Sequence, residues 1–172
     1  PASLPTNLRY QLCRHSLSHP ALIDARLTAV VQAPDASHTL QLRRQLEQEG
    51  LWSERISPWH AALHRWLIEI DGNVNSWGLL WKLLSGSCVV RVGSARRQWY
   101  HHRLKAWEHF IPVAPDLSDL IEQLARCHSH PQECAAIAAA GRSLGLTVVE
   151  DLEQDLLTAT TTYAQRWMEP TR

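Results

Sequence analysis

The sequence predicts an α/β domain whose core is a parallel β-sheet with flanking helices. Three apolar segments, 66–70, 88–93 and 109–113, have the length and the Val and Ile content of buried strands. Segments with helical patterns lie between and after them. Tight connections and this alternation are typical of a parallel sheet wound by right-handed crossovers. The pattern therefore predicts half of a Rossmann-like domain.

The region before the first apolar strand adds two helices and one strand. Apolar residues recur at helical spacing over residues 7–18, and Pro20 follows the predicted helix end. Residues 26–31 are β-rich and are bounded by a Pro-Asp pair, so we expect a strand there. A second helical pattern covers 39–48 and ends at Gly50. These elements precede a tryptophan-rich connection to the first apolar strand.

The second half of the chain is mostly helical outside its strands. Residues 77–84 are apolar almost all round, which predicts a short buried helix. The tryptophans of the apolar segments are expected in the core, and those outside them are possible ligand contacts. The first group is Trp66, Trp77 and Trp81, and the second is Trp52, Trp59 and Trp99. Further helices are predicted at 95–104, 117–127, 133–144 and 152–168.

The composition of the 172 residues excludes several classes of protein. Lys plus Arg and Asp plus Glu both number 17, so no overall field favours nucleic acid as a partner. No apolar run approaches the roughly 18 residues of a membrane span, and the N-terminal residues lack a signal-peptide pattern. The 4 cysteines follow no disulfide framework, which favours a reducing compartment. We expect a soluble single domain over residues 1–172.

The loop after the first apolar strand, Asp71 to Ser76, admits several interpretations. A hairpin turn requires an alternating strand after it, and residues 77–84 do not alternate. A calcium loop requires Gly and Glu where the chain has Ser76 and Lys82. The glycines of dinucleotide and Walker loops are absent. A strand-to-helix turn, with Asn75 or Ser76 capping the helix, fits the pattern, either as a purely structural turn or as an anion site in the crevice of an α/β sheet.

Residues 70–120 resemble the C-terminal half of glycosyltransferase family 90. The stretch "IDGNVNSWGLLWKLLSGSCVVRVGSARRQWYHHRLKAWEHFIPVAPDLSDL" carries the resemblance, and "NLRYQLCRHSLSHPALIDARLT", residues 7–28, is similar to the preceding segment of the family. Trp107 and the His-Phe-Ile-Pro-Val segment at 109–113 match the family pattern. The family includes protein O-glucosyltransferases, capsule-associated xylosyltransferases and bacterial lipopolysaccharide-modifying transferases.

The resemblance implies a GT-B architecture in which this chain is the C-terminal, sugar-donor-binding domain and the acceptor-binding domain is absent. It implies that the loop amides and Ser76 meet the diphosphate of a nucleotide sugar. Gly78 stands where eukaryotic relatives place an arginine, and Arg96 or Arg97 are candidate substitutes. Gln98 replaces an acidic residue of the family. The predicted donor-binding residues are Asp71, Gly72, Asn73, Val74, Asn75, Ser76, Trp77, Arg96, Arg97 and Gln98.

The function implied is transfer of a hexosyl or pentosyl unit from a nucleoside-diphosphate sugar to a hydroxyl of a glycan, a lipopolysaccharide or a protein. No cofactor and no metal are expected, and the catalytic base would lie on the absent domain. The Asn-Ser-Trp and Arg-Gln-Trp-Tyr wording resembles bacterial members, which implies a cytoplasmic location, peripheral at the inner membrane. The alternative is a non-catalytic module that binds nucleotides or nucleotide sugars.

Overall fold

The computed structural model describes residues 4–31 and 33–168, with side chains to residue 165. Three strands form one sheet in the order β1-β2-β3, and both pairs are parallel. The strands are β1 (Trp66–Glu69), β2 (Cys88–Val92) and β3 (Ile111–Val113). The predicted α/β class with a parallel sheet and flanking helices is confirmed. The helices are α1 (Leu8–Ser18), α2 (Ala36–Gln48), α3 (Pro58–Ala61), α4 (Leu79–Leu84), α5 (Leu120–Ser129), α6 (Pro131–Glu150) and α7 (Leu152–Met168).

Short polar side chains begin the first three helices. Asn7 accepts hydrogen bonds from the amides of Arg9 and Tyr10 and so caps α1. Asp35 caps α2 by accepting from the amide of His38, and Ser57 caps α3. These caps explain why α2 begins three residues earlier than its apolar pattern predicts.

The central strand β2 is buried on both faces, because apolar layers cover it from two sides. On one face Cys88, Val90 and Val92 pack with α1, α5 and the first turns of α6. On the other face Val89 packs with α4, Tyr100, Phe110 and the end of α6. Alternate residues of a strand point to opposite faces, so the consecutive apolar residues Cys88, Val89 and Val90 require this two-sided cover.

Two predicted elements are wrong. Residues 26–31 form no strand, because Leu27 pairs with the chain after α2 in a single bridge to Trp52 and not with the sheet. The predicted helix 95–104 is reduced to a 3₁₀ helix, Trp99–Arg103. The backbone of Gln98 is extended there (φ −108°, ψ 162°), and its side chain is hydrogen-bonded to the backbone of Ser76. A tertiary contact has overridden the local helical pattern.

A glycine sets the distance between α6 and β3. A Cβ atom at Gly141 would lie 2.6 Å from the carbonyl oxygen of His109 and 3.0 Å from Cδ2 of Leu83. The backbone oxygen cannot move without displacing the chain that leads into β3. The helix therefore approaches the sheet closely only because this position has no side chain.

We expect Gly141→Ala to lower the free energy of unfolding by about 2 kcal/mol, because overpacking outweighs the better helix propensity of alanine. Urea denaturation of the variant and the wild-type chain measures the change. Gly145→Ala is the matched control, since its Cβ would meet only side-chain atoms of Leu83 and Leu84 at 3.3–3.4 Å. Equal stability of Gly141→Ala and wild type would show that this position does not set the distance between α6 and the sheet.

Candidate functional site

The 71–77 loop follows β1 at the carboxyl end of the parallel sheet. Because β1 pairs with β2 in parallel, the loop is not a hairpin turn. Gly72, Asn73 and Ser76 line a cavity of about 1570 Å³, which Arg9 and Leu12 of α1 line as well. Ligands of open α/β sheets bind outside the carboxyl ends of the strands, so this position is the expected one for a ligand site.

Hydrogen bonds within the loop fix its shape. Asp71 Oδ1 accepts from the amide of Ser76 at 2.6 Å, and the amide of Gly72 donates to the carbonyl of Val74 at 3.1 Å. The Ser76 hydroxyl accepts from the amide of Gly78 at 3.2 Å. The prediction that Asn75 or Ser76 caps the next helix is wrong, because α4 begins only at Leu79 and has no side-chain cap.

Side chains from two other segments hold the carbonyl groups of the loop. Arg9 donates from Nη2 to the carbonyl of Ile70 at 3.1 Å and from Nε to that of Asp71 at 3.3 Å. Arg96 donates from Nη1 to the carbonyl of Gly72 at 2.7 Å. Gln98 donates from its side-chain amide to the carbonyl of Ser76. The predicted residues Arg96 and Gln98 therefore lie at the loop, where they hold its backbone.

Three backbone amides of the loop have no hydrogen-bond partner in the described structure and can donate to a ligand. Within the part of the chain that the structure describes, the amides of Val74, Asn75 and Trp77 have no hydrogen-bond partner. The side chains of Val74 and Trp77 are 62% and 84% exposed. The expectation that Trp77 lies in the core is therefore wrong, although Leu79 and Leu83 of the same segment are buried. Free amides beside arginines form an arrangement that attracts an anion.

A buried ion pair joins α4 to the last residue of β1, just before the loop begins. Lys82 Nζ lies 2.6 Å from Glu69 Oε2 and also donates to the carbonyl of Ile68 at 2.8 Å. The carboxylate side chain is 5% exposed and the lysine side chain 16%. A Cβ at Gly78 would lie 3.3 Å from the same carboxylate oxygen. The pair and the glycine together bring the start of α4 close to β1.

Arg91 of β2 lies beside Glu69 in the sheet register, and its side chain contacts the 3₁₀ helix. Its Nη2 donates to Nδ1 of His101 at 3.3 Å, and its guanidinium lies 5.4 Å from the ring centroid of Phe110. Burial lowers the pKa of Arg91. Burial, followed by the positive charges of Arg91 and Arg97, lowers the pKa of His101 to about 4. His101 is therefore a neutral hydrogen-bond acceptor at neutral pH.

The structure brings Arg96 and Gln98 to the 71–77 loop and adds residues that the sequence analysis missed. Arg97 is exposed and acts electrostatically on Arg91 and His101. The missed residues are Arg9, Glu69, Lys82, Arg91 and His101. The signal for two of them was present in the sequence, since Glu69 and Arg91 interrupt apolar strands near their carboxyl ends. Arg9 lies on a distant helix, and only the fold brings it to the loop.

No group of three or more His, Cys, Asp or Glu side chains in the described part of the chain is arranged to hold a metal ion. Among the described helices, none combines the length and the apolar character that crossing a membrane requires.

The chain belongs to glycosyl transferase family 90, because the model of that family matches residues 3–163. The resemblance to this family, carried by residues 70–120 and 7–28, is therefore confirmed.

Curated relatives and a solved structure are similar to this chain over most of its length. It is 31% identical to uncharacterized protein 035R of invertebrate iridescent virus 3 over 77% of the chain and 12% of the viral protein. It is 26% identical to protein O-glucosyltransferase 2 of Danio rerio over 81% of the chain and 26% of that protein. The fold is similar to that of Anabaena HepE, crystallised in complex with UDP-glucose, with a TM-score of 0.63 and 15% identity.

The chain spans only part of the proteins that it matches. It covers 12% and 26% of the two curated relatives, and the structural likeness covers 88% of this chain and 44% of HepE. The likeness to HepE therefore concerns the fold of about half of that chain.

We expect Arg9→Gln to release the loop, because two hydrogen bonds to its carbonyl groups are lost. Hydrogen exchange of the amides at 73–77 should become about tenfold faster, while that of β2 stays at the wild-type rate. Arg14→Gln is the matched control on the same helix, since Arg14 is exposed and makes no side-chain contact with the loop. Unchanged hydrogen exchange at 73–77 in Arg9→Gln would show that the contacts of Arg96 and Gln98 are enough to hold the loop.

We expect the chain to lose stability on acidification because of His101. Its pKa is about 4 in the folded chain and about 6.5 when unfolded, so the unfolded state binds more protons between these values. Stability is full above pH 6.5 and falls by about 2–3 kcal/mol as the pH drops toward 4. Urea denaturation across this range measures the slope.

The matched pair of variants for this measurement is His101→Asn and His102→Asn. The first should remove most of the pH dependence, and the second, at an exposed neighbour on the same 3₁₀ helix, should keep the wild-type slope. His109, whose pKa is also lowered by burial, accounts for a smaller part of the slope. Identical slopes in all three proteins would contradict the assignment to His101.

Proposed function

We propose that this chain is the sugar-donor-binding domain of a glycosyltransferase. The transferase would move a hexosyl or pentosyl unit from a nucleoside-diphosphate sugar to a hydroxyl of a glycan, a lipopolysaccharide or a protein. The observation that carries the proposal is the 71–77 loop, where Arg9, Arg96 and Gln98 bind the carbonyl groups of residues 70, 71, 72 and 76. Three of its amides have no partner among the described residues. Membership of family 90 and the fold shared with HepE, which was crystallised with UDP-glucose, support it.

The proposed chemistry is stabilisation of the departing diphosphate. Charge develops on the leaving group as the bond to the sugar breaks, and fixed N–H groups stabilise it most when no rearrangement is needed. Arg9, Arg96 and Gln98 supply that rigidity by holding the loop backbone. Because these arginines also bring positive charge to the loop, we propose that transfer needs no metal ion. The base that activates the acceptor hydroxyl would lie on a separate acceptor-binding domain.

The location and the acceptor are further proposals. The Asn-Ser-Trp and Arg-Gln-Trp-Tyr segments support a bacterial type of transferase, which would act in the cytoplasm at the inner membrane. Fractionation of cells that express the protein, with and without a high-salt wash, tests this. The sugar, the nucleotide base and the choice between glycan, lipopolysaccharide and protein are decided by an assay of a set of acceptors.

We expect the wild-type chain to bind UDP and a UDP-sugar at least tenfold more tightly than uridine, because the loop amides contact the diphosphate. Isothermal titration calorimetry measures the three affinities, with and without a chelator. Asp71→Ala should weaken UDP binding by about tenfold, since it frees the amide of Ser76 and loosens the loop. Absence of nucleoside-diphosphate binding by the folded wild-type chain would refute the proposal.

The second candidate function is a non-catalytic module that binds nucleotide sugars. It is favoured by two departures from the family pattern, since Gly78 stands where eukaryotic relatives place an arginine and Gln98 replaces an acidic residue. To distinguish the two functions, the acceptor-binding domain of another member of the family is added to the wild-type chain and transfer is assayed. Restored transfer supports the enzyme, and nucleotide binding without transfer supports the module.

A further inference from the structure

Arg91, beside Glu69 near the carboxyl end of β2, has no acidic partner among the described residues. No carboxylate oxygen of the described residues lies within 4.0 Å of its guanidinium, although Asp71 and Glu69 act on it from a greater distance. Glu69, its neighbour in the sheet register, is already paired with Lys82 at 2.6 Å. Partly buried arginines are usually paired with an acid, so an unpaired one needs an explanation.

The side chain of Arg91 is held in position but uses only part of its hydrogen-bonding capacity. Its one hydrogen bond in the described structure is the donation from Nη2 to Nδ1 of His101 at 3.3 Å, and Phe110 lies against its face. A guanidinium has five N–H groups. None of its nitrogens is both fully buried and without a partner, so the remaining N–H groups still reach solvent. They are open to an acceptor that enters the site.

His101 keeps Arg91 in this state. A protonated imidazole would repel the guanidinium and could not accept its hydrogen bond at Nδ1. With a pKa of about 4, the imidazole stays neutral and holds the guanidinium in one orientation without reducing its charge. A carboxylate in the same place would cancel that charge.

The position of Arg91 fits a ligand that enters at the 71–77 loop. Asp71, which begins the loop, is the carboxylate whose charge acts most strongly on Arg91, and the charge of Arg97 acts in the opposite sense. Arg9 and Arg96 already donate to loop carbonyl groups, whereas Arg91 donates to no backbone group. Its charge is thus not used to hold the fold of the loop.

We infer that Arg91 is a binding residue for the diphosphate of the sugar donor, held in position by the neutral ring of His101. This rests on the proposed function and adds a residue that the sequence analysis did not assign. A phosphate oxygen of the donor completes the hydrogen bonds of Arg91. Two charge-assisted contacts to one phosphate are the preferred mode for arginine.

Calorimetry with UDP and with uridine tests the inference on the wild-type chain, Arg91→Gln, Arg91→Lys and the control Arg142→Gln, an exposed arginine of α6. We expect Arg91→Gln to weaken UDP binding by 10- to 100-fold and uridine binding by less than twofold. Arg91→Lys should recover part of the loss, and Arg142→Gln should bind UDP like wild type. The salt dependence of UDP binding should also be smaller in Arg91→Gln.

Several outcomes overturn the inference. If wild type binds UDP and folded Arg91→Gln binds it equally well, the inference is wrong while the proposed function stands. An equal loss for UDP and uridine would assign Arg91 to the fold and not to the diphosphate. If wild type fails to bind UDP, the proposed function and the inference fall together.

A measurement on the unaltered chain covers the case in which Arg91→Gln fails to fold. Phenylglyoxal modifies arginines that reach solvent, and mass spectrometry of peptides locates the modified residues. UDP should protect Arg91 at least fivefold, and uridine should not. Equal modification of Arg91 with and without saturating UDP would refute the inference.

Discussion

The parallel pairing of β1 with β2 is the constraint on which the site depends. It places Glu69 beside Arg91 on one face of the sheet and leaves both strands ending at the same edge. The loop that follows β1 and the chain that follows β2 must then leave the sheet side by side. Arg96 and Gln98 can reach the loop carbonyl groups only for this reason. An antiparallel pair would have sent the two connections to opposite ends.

Charged groups of this sheet edge differ in how far they are neutralised. Glu69 and Lys82 are buried together and satisfied, so their pair fixes the approach of α4 to the sheet. Removing one partner would leave a buried charge, which is costly. Arg91, one strand away, has a neutral histidine as its partner instead. The site therefore combines a satisfied structural pair with a cation that is left available.

The 71–77 loop has unpaired backbone amides without a long helix after it. The six-residue α4 begins only at Leu79, after the loop has ended. Arginine and glutamine side chains hold the carbonyl groups, Asp71 holds one amide, and Val74 and Trp77 extend into solvent. Among the described residues, the amides of Val74, Asn75 and Trp77 are then left unpaired beside two exposed apolar side chains. This arrangement suits a ligand with an anionic part and an apolar part.

The amino-acid sequence by itself determined the sheet strands, most helices, the family and the location of the loop, because these depend on local apolar patterns and on a specific motif. It failed where distant contacts overrode local preference. Residues 26–31 pair with the segment after α2, Gln98 is drawn out of a helix, and Trp77 is displaced into solvent. The roles of Arg9 and Arg91 were decided only by the tertiary structure. Whether an arginine meets a carbonyl, a carboxylate or a neutral ring depends on neighbours that lie 10 to 62 residues away in the chain.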